Sequence, residues 1–156
     1  MSKHKHLARL EQIWTEQPIF FVTTCTCSRR RELASPQMHE ICREVWRNSE
    51  TLYGWLVGRY VLMPDYAHFF CAPRDDRHTL KQFVGKWKEW TAKNALRTRD
   101  VIMPLWQEGF FDHVLRSSES YEEKWDYVAA NPVRAGLVSM SEEWPFQGEM
   151  HELRFD

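Results

Sequence analysis

The chain has 156 residues, a length typical of one domain, so we expect a single domain over residues 1–156. Lysine and arginine number 21 against 22 acidic residues, and this net charge of −1 argues against bulk electrostatic attraction to nucleic acid or to a membrane surface. With no secretory signal, no run of about 20 apolar residues and only four cysteines, the sequence predicts a cytoplasmic protein with reduced thiols and no membrane partner.

The first half of the chain predicts three strands and one helix. Residues 18–27 are rich in aromatic and β-branched side chains and run into a basic segment, which favours a strand that ends at a loop. After Ser35 and a proline, apolar residues at spacings of three and four predict a helix. Strands are expected over residues 53–63 and 68–73, on either side of a corner at 63–65, because proline is tolerated in a turn but not inside a paired strand.

The second half predicts a helix over residues 79–97, a strand over 105–116 and a last helix. Ser120 with Glu123 matches a capping box, so the last helix is expected to start there. It is expected to end at Asn131, because the residue before a proline is pushed out of helical geometry. The order strand, helix, strand, strand, helix, strand, helix predicts an α+β fold with helices packed on an antiparallel sheet.

Basic side chains cluster on the helix predicted over residues 79–97. Between residues 74 and 99 there are eight lysines or arginines against three acids, and three arginines stand together at 29–31. These charges are sufficient for several phosphate contacts, although a solvated helix face explains the same lysines equally well. The candidate phosphate-binding residues are Arg29, Arg30, Arg31, Lys81, Lys86, Lys88 and Lys93.

Tyr127 and Asn131 are four residues apart and would share one face of the last helix. A tyrosine hydroxyl has a free pKa of roughly 10 and is a poor nucleophile, so it needs an electrophile that another group activates. A divalent ion such as magnesium or manganese polarises a phosphoryl oxygen, and Asn131 and His68 could supply it with one oxygen and one nitrogen ligand. From spacing alone, a core edge and a helix C-cap explain the tyrosine and the asparagine as well.

Two other features are better explained by structure than by chemistry. A zinc site would need Cys25, Cys27, His68 and Cys71, but no spacing among them matches a zinc knuckle. The eight tryptophans could stack on nucleic-acid bases, but we expect them to pack in or around the core.

Segments from both halves of the chain resemble the REP-associated tyrosine transposases, which belong with the HUH transposases that use one catalytic tyrosine. The segments are YVLMPDYAHFF at 60–70, LWQEGFFDHVLR at 105–116, and DYVAANPVRAGLV at 126–138 followed by EEWPF at 142–146. The resemblance implies a ferredoxin-like fold and a DNA partner that is a hairpin with a single-stranded flank. It also implies that the basic residues hold DNA, and it suggests a homodimer.

The resemblance implies a role for each residue of the candidate site. Tyr127 stands where the family has the nucleophile that attacks a DNA phosphate, and Asn131 stands where the superfamily has a polar third metal ligand. His68 matches the second histidine of the histidine, hydrophobic, histidine motif. Tyr66 holds the place of the first histidine, and a neutral phenol is a poor replacement for imidazole in binding a metal ion.

The tyrosine at position 66 leaves two functions open. In the first, the protein cleaves and rejoins single-stranded DNA by tyrosine-mediated transesterification, with magnesium or manganese bound by His68, Asn131 and water, Asp65 or Tyr66. In the second, it is a non-catalytic nucleic-acid-binding module that has lost metal-dependent cleavage.

Overall fold

The computed structural model of the protein describes residues 12–15, 18–98 and 101–155. Its strands are β1 (Gln12–Thr15), β2 (Ile19–Cys25), β3 (Trp55–Met63), β4 (Tyr66–Pro73), β5 (Phe111–Leu115), β6 (Gln147–Glu149) and β7 (Glu152–Phe155). Its helices are α1 (Pro36–Arg47), α2 (Ser49–Tyr53), α3 (Leu80–Thr98), α4 (Ser118–Ala129) and α5 (Asn131–Arg134).

The central sheet has five strands in the order β5-β2-β4-β3-β6, and each neighbouring pair is antiparallel. Strands β2 to β5, with α1 and α3 as the two crossovers, follow the βαββαβ order of the ferredoxin-like fold. This confirms the predicted α+β architecture with helices packed on an antiparallel sheet. A smaller, parallel pair of β1 with β7 was not predicted.

The two faces of the sheet are covered by different helices. Along β4 the side chains alternate between faces, so Phe69 belongs to the core with Trp46 of α1 and Trp87 of α3. Phe70 belongs to a second cluster on the other face, with Tyr121 of α4. By the same alternation, the even-numbered positions at the start of β4 point to the α4 face.

Local signals in the sequence position the first two predicted helices correctly. The Ser35 hydroxyl caps α1 by accepting a hydrogen bond of 3.1 Å from the Met38 amide. At α3, Thr79 and Gln82 exchange hydrogen bonds between side chain and backbone, which confirms the predicted start of this helix. Most of the described tryptophans are buried, as expected: Trp46, Trp55, Trp87, Trp106 and Trp144.

The last predicted helix is divided in two, which corrects both of its predicted ends. The cap is Ser117, whose hydroxyl accepts a hydrogen bond of 3.1 Å from the Ser120 amide, so Ser120 is the third residue of the helix. The helix α4 ends at Ala129, and Asn131 opens the short helix α5. The break arises because Pro132 has no amide proton and fits only the first turn of a new helix.

The strand predicted over 105–116 forms only at its end, as β5. Gly109 has a positive φ of 75° that interrupts extended geometry, and Trp106 makes an isolated bridge to Thr26 instead of joining the strand. Among the described residues, none of the helices combines the length and apolar character needed to cross a membrane.

Candidate functional site

The position of α4 over the sheet depends on a buried arginine of β3. The guanidinium of Arg59 forms ion pairs with Glu122 of α4, at 3.0 Å, and with Glu149 of β6, at 3.7 Å. It also lies 5.3 Å from the ring centroid of Tyr121 and 5.6 Å from that of Trp125, both on α4. These contacts fix the helix that presents Tyr127 relative to β3 and β4.

Tyr66 and His68 are adjacent on the face of β4 that α4 covers. Their ring centroids are 4.7 Å apart, with the rings edge to face. The imidazole also packs on Phe21, at 4.8 Å between centroids, and its Nδ1 atom is hydrogen-bonded to the Thr23 hydroxyl at 2.8 Å. Burial and, to a smaller extent, the nearby Lys124 ammonium lower the pKa of His68 to about 3, so the imidazole is neutral at physiological pH.

The neutral, buried state of His68 predicts a loss of stability in acid. Unfolding returns the pKa of the imidazole to about 6.5, so between pH 6.5 and pH 3 the unfolded chain binds a proton that the folded chain does not. The free energy of unfolding should therefore fall as the pH decreases through this window. Urea titrations at pH 7.5 and 5.0 measure the decrease, which should be smaller in His68→Gln; equal decreases in the two proteins would contradict a neutral, buried His68.

A chain of contacts links Tyr66 on the sheet to Tyr127 on α4. The amide nitrogen Nδ2 of Asn131 donates a hydrogen bond of 3.3 Å to the Tyr66 hydroxyl. The oxygen Oδ1 of the same amide accepts a hydrogen bond from Nη2 of Arg134. The guanidinium carbon of Arg134 lies 4.1 Å from the ring centroid of Tyr127, whose side chain is 63% exposed. We call Tyr66, His68, Tyr127, Asn131 and Arg134 the tyrosine cluster.

Positive charges border the tyrosine cluster. The guanidinium carbon of Arg29 lies 5.5 Å from the Tyr66 ring centroid, and Arg29 is ion-paired with Asp65 at 2.9 Å. The ammonium of Lys124 lies 4.8 Å from the ring centroid of Phe21, against which His68 packs. Burial raises the pKa of Tyr66 and Asp65 adds to this, whereas Arg29 and Arg134 oppose it, so Tyr66 is a neutral phenol at physiological pH.

The donor atoms of the cluster do not fit a divalent ion. The Asn131 oxygen that would be a ligand is bound to the Arg134 guanidinium, a cation that would repel the metal. Tyr66 would have to ionise to replace an imidazole, and the carboxylate of Asp65 is paired with Arg29. The predicted ligands lie in one chain of contacts: His68, Tyr66 and Asn131. Of their donor atoms, only an imidazole nitrogen of His68 could bind a divalent ion, and none of the three supplies a negative charge.

The zinc alternative is not supported by the geometry. Cys71 belongs to the core on the α1 and α3 side of the sheet, whereas His68 points to the α4 side. Among the described residues, no group of three or more histidine, cysteine, aspartate or glutamate side chains is arranged to hold a metal ion.

Two of the predicted phosphate-binding residues are already engaged with backbone carbonyls. Arg30 donates hydrogen bonds of 2.9 and 2.5 Å to the carbonyl oxygens of Ile102 and Pro104. Lys88 donates hydrogen bonds of 2.6 and 2.7 Å to those of Gln107 and Gly109. Both side chains hold the segment before β5 in place, and their predicted contact with DNA stays a prediction.

The other basic candidates divide between the two sides of the molecule. Arg29 borders the tyrosine cluster, and Arg31 is exposed in the same loop. Lys81, Lys86 and Lys93 lie on α3, on the face of the sheet opposite α4, where Lys86 and Lys93 both pair with Glu89. The structure thus does not bring the lysines of α3 together with Tyr127, and their predicted contact with DNA stays a prediction.

Arg134 and Lys124 were not predicted as site residues. Arg134 follows Asn131 by three residues, a spacing at which side chains on a helix meet, so the sequence contained a signal for their contact. Lys124 lines an open groove between β5 and α4, together with His113, Glu123 and Tyr127. The groove is open to solvent, and the exposed Tyr127 side chain lies along it.

Known proteins resemble the chain in both sequence and fold. No family model matches it. It is 25% identical over 128 residues to a REP-associated tyrosine transposase of Escherichia coli strain K12, a match that covers 81% of this chain and 73% of the relative. The solved structure of a REP-associated tyrosine transposase bound to a REP hairpin superposes with a TM-score of 0.72 at 20% identity, covering 86% of this chain and 78% of that one.

Proposed function

We propose that this chain, which is similar in sequence and fold to REP-associated tyrosine transposases, is a transposase-like protein that binds DNA hairpins with a single-stranded flank. The observation that carries this function is the tyrosine cluster, where the exposed Tyr127 stands beside the Arg134 guanidinium, with the Lys124 ammonium nearby on the same helix as Tyr127. A DNA phosphate is the anion that such a surface would take from the proposed partner.

The groove between β5 and α4 supports a place for the single-stranded flank. Lys124 and His113 line it beside Tyr127, and the Tyr127 ring is exposed enough to stack on a base. The chain as a whole has a net charge of −1, so the attraction to DNA must be local to surfaces such as this one. A homodimer stays a prediction from the family resemblance.

A second candidate function, cleavage of the bound strand, is favoured by the exposure of Tyr127. In that reaction the Tyr127 oxygen would bond to phosphorus and lose its proton to solvent, while the bond from phosphorus to the 3′ oxygen breaks. The released strand would take up a proton from solvent to end in a 3′ hydroxyl, and the other strand end would be a 5′-phosphotyrosine. The family carries out this step with a divalent ion, and the donor atoms of the tyrosine cluster do not fit one. We therefore expect the protein to bind the DNA strand but not to cleave it with a metal ion.

One oligonucleotide experiment tests both functions. A labelled hairpin with a single-stranded flank is titrated with protein at about 50 and 200 mM salt, in EDTA or Mn²⁺, and each sample is run on native and denaturing gels. We expect a complex in EDTA whose affinity falls by about tenfold or more over this salt range. A scrambled strand of the same composition, which forms no hairpin, should bind more weakly.

The denaturing gel separates the two candidate functions. We expect no covalent adduct. A Mn²⁺-dependent adduct that disappears in Tyr127→Phe would establish cleavage instead, and equal affinities for the hairpin and the scrambled strand would refute hairpin recognition.

A further inference from the structure

We propose that Arg134 supplies the positive charge that a divalent ion would otherwise bring to the tyrosine cluster, and that it holds a DNA phosphate beside Tyr127 without metal. Resting on the DNA binding proposed above, this inference names the group that contacts the DNA at the tyrosine cluster. It also gives a function to the contacts among Tyr66, Asn131 and Arg134, in a cluster where Tyr66 stands at the place of the family's first histidine.

The first support is the way in which the guanidinium is held. Arg134 has Tyr127 on one side, at 4.1 Å from the ring centroid, and the Asn131 oxygen on another. Among the described residues, the only hydrogen bond of the guanidinium is the one to Asn131, and the Arg134 side chain is exposed. A guanidinium has five N–H donors, so several remain to bind both oxygens of a phosphate in the bidentate manner that arginine favours.

The second support is the orientation of the Asn131 amide. A metal ligand would point its oxygen to the space beside Tyr66 and His68, but here the nitrogen Nδ2 faces the Tyr66 hydroxyl and the oxygen faces Arg134. This orientation is the one that two neighbours impose, because the guanidinium can only donate and the phenol oxygen can accept. Asn131 therefore positions a cationic side chain in place of binding a cation itself.

The third support is the charge around the phenol. Tyr66 contacts Arg29 directly, at 5.5 Å between the guanidinium carbon and the ring centroid, and Arg134 through Asn131. Asp65 is paired with Arg29 at 2.9 Å. One carboxylate therefore neutralises Arg29 and leaves the charge of Arg134 available to an incoming anion.

The test compares Arg134→Gln with Arg47→Gln, using the flanked hairpin as the probe in EDTA. Arg47 is a matched control, because it is partly exposed on α1, on the opposite face of the sheet, and pairs with Glu44. We expect Arg134→Gln to weaken binding by about tenfold, as loss of one charge-assisted contact does. The slope of log affinity against log salt should fall by about 0.7, the value for one phosphate of a single strand.

Other variants and conditions separate a direct phosphate contact from an effect on folding. Arg134→Lys keeps the charge, so it should restore the salt slope but only part of the affinity, and the thermal unfolding midpoints of the three variants should agree with that of the wild type. For the wild type, replacing EDTA with Mn²⁺ should leave the affinity unchanged.

Three other outcomes would contradict the proposed role of Arg134. If Arg134→Gln binds the flanked hairpin as well as Arg47→Gln does, or if Mn²⁺ strengthens wild-type binding severalfold, Arg134 does not replace the ion, while hairpin binding by the wild type still upholds the proposed function. If the wild type does not bind the hairpin at all, both the proposed function and the role of Arg134 are refuted.

Discussion

Replacing Trp87 with alanine should lower the free energy of unfolding by about 3–5 kcal/mol, the range for removal of a large buried aromatic side chain. Trp87 is 0% exposed and stacks on Trp46, with ring centroids 5.1 Å apart and planes inclined by 5°. Its ring also packs on Phe69 and Trp106, at 5.2 and 5.0 Å. The indole nitrogen is buried and has no hydrogen-bond partner among the residues that the structure describes, so the expected loss comes from packing and the cavity.

Trp90 on the same helix is the matched control. Trp90 is 39% exposed, and the Lys93 ammonium lies 4.8 Å from a centroid of its rings. Its side chain is also hydrogen-bonded to Tyr53. Trp90→Ala should therefore cost about 1–2 kcal/mol, clearly less than Trp87→Ala. Urea unfolding followed by circular dichroism measures both variants. A similar loss of unfolding free energy in the two variants would contradict the structure, in which Trp87 is in the core and Trp90 is partly exposed.

The elements that the sequence predicts well are those whose signals lie within a few residues. Ser35 before a proline and an apolar stripe is enough to place α1, and the corner at 63–65 is enough to separate β3 from β4. The pairing of β1 with β7 joins segments about 140 residues apart in the chain. Neither segment has a periodic pattern, so this strand pair is seen only in the structure.

The candidate site is predictable in its residues but not in its connections. The resemblance named Tyr66, His68, Tyr127 and Asn131, and the structure places them on one face of the sheet or at the helix above it. The sequence shows that Arg30 and Lys88 are basic, but it cannot show that both donate hydrogen bonds to distant backbone carbonyls. Arg134 was missed although its spacing of three from Asn131 was a usable signal, because its contact with the Tyr127 ring is visible only in the structure.

Exchanging two residues together, in Tyr66→His/Arg134→Gln, should create a Mn²⁺ site that the wild type does not have. A histidine at 66 would share a face of β4 with His68, and removal of the guanidinium would free the Asn131 oxygen and take away a repelling charge. Two imidazoles and an amide oxygen suit Mn²⁺. We expect an affinity at least about 100-fold above that of the wild type, since even changes outside the ligand set shift metal affinity by 10–100-fold.

Electron paramagnetic resonance of free Mn²⁺ measures this affinity without DNA and without catalysis. Tyr66→Phe/Arg134→Gln is the matched control: it removes the same positive charge but supplies no imidazole, so it should bind Mn²⁺ as poorly as the wild type. Tyr66→His alone should fall between the two, because the guanidinium still holds the Asn131 oxygen. If the single variant binds Mn²⁺ as tightly as the double variant, Arg134 does not compete with the ion, and the phenol of Tyr66 accounts by itself for weak Mn²⁺ binding by the wild type.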